Sequence, residues 1–217
     1  MTATDAPAHP DLLLTGFAPF AGVEVNESWQ AVQVAARILE GEHGLTVATL
    51  ELPVEFGVAA DRVIGAMHDL APRLTIATGL AAGRTAVTPE RVAINLQDAR
   101  IPDNAGYSPI DVPCAPEGPA AYFSALPVKA MVAAAQAAGA PASVSHTAGT
   151  YVCNDVAYRL VHALATDPAL AGRRAGFVHV PSDGELEVDR TGAALAEMAL
   201  AALASDTDLS VSAGAVH

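Results

Sequence analysis

A chain of 217 residues with 52% hydrophobic content can build one large core, whereas division into two domains would leave each half marginal. Its formal charge of -13, from 11 basic and 24 acidic residues, argues against a surface built to neutralise phosphates or dock on anionic lipid, so neither nucleic acid nor membrane is an expected partner. The start MTATDAPAHPD lacks the basic and apolar regions of a secretory signal, and no run of about eighteen apolar residues suggests a membrane span, which points to the cytoplasm.

Along the chain, short apolar runs alternate with longer amphipathic ones. Residues 12–15, 45–52, 74–78, 142–145 and 176–180 read as strands. Helical periodicity covers 28–39, with Val32, Ala35, Ala36 and Leu39 on one face, and 57–70, with Ala60, Val63, Ile64 and Met67. Segments 126–138, 153–165 and 185–204 complete the helices, the last two rich in Ala and Leu. This alternation predicts an α/β fold: a single-domain α/β/α sandwich over residues 1–217 with a mostly parallel twisted sheet and helices on both faces. Residues 1–10 and 206–217 read as flexible tails. Residues 85–119 break the rhythm, with a strand-like 91–96 followed by a polar, Pro-containing stretch of the kind that serves function or packs on a partner.

The two cysteines, Cys114 and Cys153, show neither CxxC nor zinc spacing, so neither a structural metal nor a disulfide is expected. Cys153 follows a Gly-containing turn and opens a helix. Unpaired N–H groups and the positive helix end there favour thiolate, lowering a reference pKa near ~8.5, and the same groups suit an oxyanion. By position alone Cys153 reads both as a nucleophile and as a small buried residue. Of seven histidines, His9 and His217 fall in the tails, His43 in a polar loop, His68 and His162 within helices, and His146 at a strand end before the turn. His179 lies at the carboxyl end of a strand in GFVHVP, where α/β enzymes assemble their sites, although a packed sheet histidine has the same pattern. Glu90, Asp98 and Asp103 are candidates for an acid that orients the imidazole, and periodicity does not choose among them. No G-x-S-x-G elbow points to a serine hydrolase, and GFAPFAG lacks the dinucleotide-binding fingerprint.

Four segments together, LLLTGFAPFAG with NESWQAV, GRTAVTPERVAINLQDARIPDNAG, SHTAGTYVCND and GFVHVP, resemble pyroglutamyl peptidase type I in order and spacing over nearly the whole chain. The resemblance implies a cysteine exopeptidase that removes N-terminal pyroglutamate from peptides through a thioester, with Glu90, Cys153 and His179 as its triad and no cofactor. It implies that Arg100 assists the oxyanion, and that Phe17, Phe20, Leu80, Ile101, Tyr151 and Val152 form the lactam pocket. It also implies a homo-oligomer, tetramer or dimer. Four features depart from the family pattern: Leu80 in place of a glutamine associated with lactam binding, Ala21 in place of a glycine, Val54 where threonine is frequent, and a shortened loop after Val180. Leu80 motivates one alternative, a member with weakened or altered acyl specificity; a second, of another class, is a non-enzymatic module that binds a lactam or blocked N-terminus, against which the retention of Cys153, His179 and Glu90 argues.

Overall fold

Leu12–Phe17 is apolar almost throughout and buried at every position, as a strand covered on both faces must be. In the computed structural model, which describes residues 9–20, 22, 24–182 and 184–214, this strand (β1) lies in a five-stranded sheet. The other members are β2 (Val47–Leu52), β3 (Leu74–Ala81), β4 (Thr88–Pro89) and β7 (Arg174–Pro181), in the order β2-β1-β3-β7-β4. All neighbours are parallel except β4, which runs antiparallel to β7. Strands β5 (Val92–Ile94) and β6 (Ala121–Phe123) pair separately as an antiparallel ribbon.

The period-two alternation of the strands divides the core into two layers. Leu12, Leu14, Ile76, Val178 and Val180 pack on one face with helices α1 (Glu27–His43), α3 (Val128–Ala137) and α5 (Val188–Ala204). Leu13, Phe17, Ala77 and Phe177 pack on the other with α2 (Val58–Leu70) and α4 (Val152–Thr166). The α/β/α sandwich expected from the alternation is therefore present, with helices on both faces of a mostly parallel sheet.

Two boundaries differ from expectation for identifiable reasons. Residues 142–145 form no strand, although they bond to 87–91: Val87 N–H donates to the Pro141 carbonyl, Ser145 N–H to Pro89, and Arg91 N–H to Ser145. Pro89 has no N–H to donate back, so the ladder is interrupted and only isolated bridges remain. Helix α5 begins at Val188 rather than Glu185, because Glu185 N–H turns back to the Ser182 carbonyl. The predicted tails at 1–10 and 206–217 fall partly outside the described residues. Within them, Asp208 accepts from the N–H groups of Lys129 and Ala130 at the start of α3, which has no side-chain cap of its own.

Candidate active site

Cys153 is the second residue of α4, and the residues after it lock that helix start in place. Asn154 is fully buried; its Oδ1 accepts from Ile94 N–H, and its Nδ2 donates to the carbonyls of Ile94 and Leu96. Asp155, also fully buried, accepts from Gly57 N–H at 2.9 Å and from Gln97 Nε2 at 2.7 Å. Asn154 and Asp155 N–H groups both turn to the Tyr151 carbonyl, and Tyr151 provides no side-chain cap. The amides of Val152 and Cys153 have no backbone acceptor among the described residues, as is usual for the first N–H groups of a helix.

Strand pairing delivers the other two groups. Register sets Thr88 opposite His179, so Glu90, bonded through its N–H to the Phe177 carbonyl, arrives beside the imidazole. Glu90 Oε1 lies 2.6 Å from His179 Nδ1 and 2.8 Å from Arg84 Nη1. Both members of the acid–imidazole pair are buried, at 2% and 4% exposure. Gly79 is the register partner of His179, and a Cβ built on it would lie 2.8 Å from Cys153 Sγ. The thiol therefore lies against the strand residue that is paired in register with His179.

Burial pushes His179 below its ordinary value, with Arg84 acting in the same direction and Glu90 opposing. Burial, and after it the charge of Glu90, pushes the Cys153 thiol up to about 12, against a smaller downward pull from Arg84 and its own N–H. The lowering expected from the helix start is thus opposed by burial and by the charge of Glu90.

The thiol borders a cavity of about 300 Å³. Phe17, Phe20, Val54, Leu80, Tyr151 and Val152 form apolar walls, with Asn26, Ala82 and Ser182 completing them. Phe20 and Tyr151 pack with their rings tilted and their centroids 5.5 Å apart, and the Tyr151 hydroxyl donates to the Pro102 carbonyl. The N-terminal motifs explain how the walls are held. Gly16 lets β1 approach α1, since a Cβ there would come within 2.6 Å of the Trp29 backbone. Asn26 caps α1, accepts from Ser28 Oγ and donates to the Ala18 carbonyl, while Ser28 Oγ accepts from Phe17 N–H.

Of the acids open at the sequence level, Glu90 meets the histidine. Asp103 instead accepts from the N–H groups of Phe56, Ala105 and Tyr107 and shapes its loop, and Asp98 is exposed. Among the other histidines, His68 pairs with Asp167 and His162 with the Tyr122 hydroxyl, His146 is exposed, and His217 lies outside the described residues. Phe17, Phe20, Leu80, Tyr151 and Val152 line the cavity. Ile101 does not; it is 51% exposed, in an exposed stretch held to the site by the Tyr151 hydroxyl, which donates to the Pro102 carbonyl. Arg100 is exposed and has no ion-pair or hydrogen-bond partner among the described residues. Ala21 and Asp183, the latter in the shortened loop, lie outside the described residues. Sequence reasoning did not single out Asn26, Gly79, Ala82, Arg84 or Ser182. The only signal available for them was membership of the motifs NESW, GLAAGR and HVPS.

Residues 10–215 match the family model described as pyroglutamyl peptidase. A pyrrolidone-carboxylate peptidase of Streptomyces coelicolor is 51% identical over 218 residues, covering 95% of this chain and 99% of that protein. One from Escherichia fergusonii is 44% identical over 216 residues with the same coverage. Among solved structures, pyroglutamyl peptidase I of Bacillus amyloliquefaciens superposes with a TM-score of 0.86 at 38% identity, over 92% of this chain and 100% of that one. Pyrrolidone carboxyl peptidase of Pyrococcus furiosus gives 0.81 at 34%, over 89% and 98%.

Proposed function

The chain belongs to the pyroglutamyl peptidase family, and on that premise we propose that Cys153, His179 and Glu90 hydrolyse the amide bond following an N-terminal pyroglutamate residue. The observation that carries this assignment is the Glu90 Oε1 to His179 Nδ1 contact of 2.6 Å, in register with the glycine that faces Cys153 Sγ.

The first step passes the Cys153 proton to Nε2 of His179 as sulfur attacks the scissile carbonyl carbon. Glu90 accepts from Nδ1–H, fixes the tautomer and stabilises the imidazolium that forms. The oxyanion is met by the amides of Val152 and Cys153, donors already oriented before reaction. Arg100 adds positive charge from the loop bonded to Thr150 and Tyr151. Collapse breaks the C–N bond, and His179 returns its proton to the departing amine. A water then gives its proton to His179 and its hydroxyl to the thioester, releasing pyroglutamate and the thiol. The apolar cavity suits a small uncharged ring that must leave water.

The test is hydrolysis of a pyroglutamyl fluorogenic amide under reducing conditions, with prolyl and alanyl amides as controls. Turnover confined to the pyroglutamyl substrate and lost in Cys153→Ala is expected. A folded wild type inactive on all three would overturn the assignment. A cytoplasmic site of action fits a reaction that needs Cys153 kept reduced, and both cysteines are unpaired. Among the described residues no helix is long and apolar enough to cross a membrane. Assembly into dimers or tetramers belongs to the same reading, and light scattering at micromolar concentration tests it.

A further inference from the structure

Glu90 Oε1 accepts two hydrogen bonds at once, from His179 Nδ1 and from Arg84 Nη1, while Oε2 is buried without a partner among the described residues. The carboxylate is therefore held through one oxygen. Arg84 follows the turn at the end of β3, where its N–H bonds the Ala81 carbonyl. Its Nη1 also donates to Thr88 Oγ1 at 2.6 Å, and its Nη2 to the Thr147 carbonyl at 2.9 Å. The guanidinium thus joins the strand before Glu90 to the segment leading into Cys153. Its planar fork can satisfy these three acceptors together, which a lysine ammonium on a flexible stem cannot match.

We propose that Arg84 is a positioning residue of the reaction: it fixes Glu90 Oε1 against His179 Nδ1, and its charge sets the pH range over which the Cys153–His179 pair works. Without Arg84, a carboxylate at 2% exposure would keep only the imidazole as its partner and lose its counter-charge. The charged and titratable groups facing the pair are Glu90 and Arg84, from the segment that follows β3, and Tyr151 at the start of α4. A cation beside the pair disfavours imidazolium and favours thiolate, so it lowers both titrations; Glu90 raises both. Removing the cation moves the two limbs of the pH–rate profile in the same direction, upward.

This inference rests on the thiol-peptidase reading, and the experiment separates the two. The pH dependence of kcat/KM on the pyroglutamyl fluorogenic amide is measured for wild type, Arg84→Gln and Arg84→Lys, alongside the rate of Cys153 alkylation by iodoacetamide, which needs no substrate. In Arg84→Gln both limbs, and the alkylation profile, are expected to move up by about 0.5–2 pH units. Its kcat should fall at least tenfold at the optimum with KM changed less than threefold, because Arg84 is outside the cavity wall. Arg84→Lys should keep the limbs near their wild-type positions and lose kcat. A folded Arg84→Gln with limbs and alkylation profile superimposable on wild type overturns the inference while leaving the reaction assignment standing. If wild type is inactive on the substrate, the reaction assignment fails and the alkylation profiles alone decide the role of Arg84. Should Arg84→Gln not fold, Arg84→Lys decides: wild-type kcat overturns the positioning role, and reduced kcat with unmoved limbs supports it.

Discussion

Gly79→Ala isolates the geometry on which the site depends. The added Cβ would stand 2.8 Å from Cys153 Sγ, 3.0 Å from Phe177 Cζ and 3.2 Å from Phe17 Cε2. Carbon contacts are comfortable at about 3.5–4.0 Å, so each neighbour must yield, sulfur by roughly 1 Å. Phe177 and Phe17 are 1% and 2% exposed and packed in the core, whereas Cys153 borders the cavity and can turn about its own Cα–Cβ bond. The displacement therefore falls mainly on the nucleophile. Residual overpacking should cost about 1–3 kcal/mol of stability. Moving a reacting atom by about 1 Å should cost roughly a hundredfold in kcat/KM, equivalent to about 2.7 kcal/mol of transition-state stabilisation. The assay combines kcat/KM on the pyroglutamyl amide with thermal melting and iodoacetamide alkylation. A folded variant that alkylates but hardly turns over is the expected result. Activity within threefold of wild type would refute the argument that thiol and imidazole are registered through this glycine.

Other substitutions test the remaining contacts. Glu90→Gln should lower kcat by about 10²–10⁴-fold with a smaller change in KM, measured by steady-state kinetics, because the amide can invert and present the wrong group to Nδ1. Leu80→Gln should raise kcat/KM for the pyroglutamyl amide up to about tenfold, since a neutral hydrogen bond to a lactam is worth about 0.5–1.5 kcal/mol; no gain would show that the apolar wall already suits the ring. Burial first raises Asp155 above the ordinary carboxyl range, and its hydrogen bonds from Gly57 N–H and Gln97 oppose that shift. Asp155→Ala should therefore cost about 2–4 kcal/mol in urea denaturation by stranding Gly57 N–H and Gln97, whereas Asp155→Asn should cost less than half of that. His179 is depressed below 6.5, so the folded state binds fewer protons there than the unfolded state. Stability from this group is present above that pH and lost on acidification through the folded value, and His179→Gln should melt with a shallower acid dependence than wild type.

The alternation of short apolar runs with amphipathic stretches was enough to place the sheet and helices, because strands covered on both faces must be apolar throughout and their crossover helices must carry one apolar stripe. Cys153 and His179 were legible as candidates, since helix starts and the carboxyl ends of parallel strands can be read from local pattern, but the same pattern also fits packed residues. Local pattern did not distinguish Glu90 from Asp98 or Asp103. That choice followed from family resemblance, and its physical cause is the antiparallel return of β4 against β7, a contact between residues 89 positions apart. The interrupted pairing of 142–145 likewise depended on which strand Pro89 would face. The charge state of the thiol shows the division best. Position in sequence predicts a helix end that favours thiolate, but burial and the nearness of Glu90 oppose it, and both are consequences of chain segments meeting in space. Arg84 and Gly79 act through those same meetings, so their sequence neighbourhood marks them only as members of GLAAGR, and the folded arrangement alone assigns them a part.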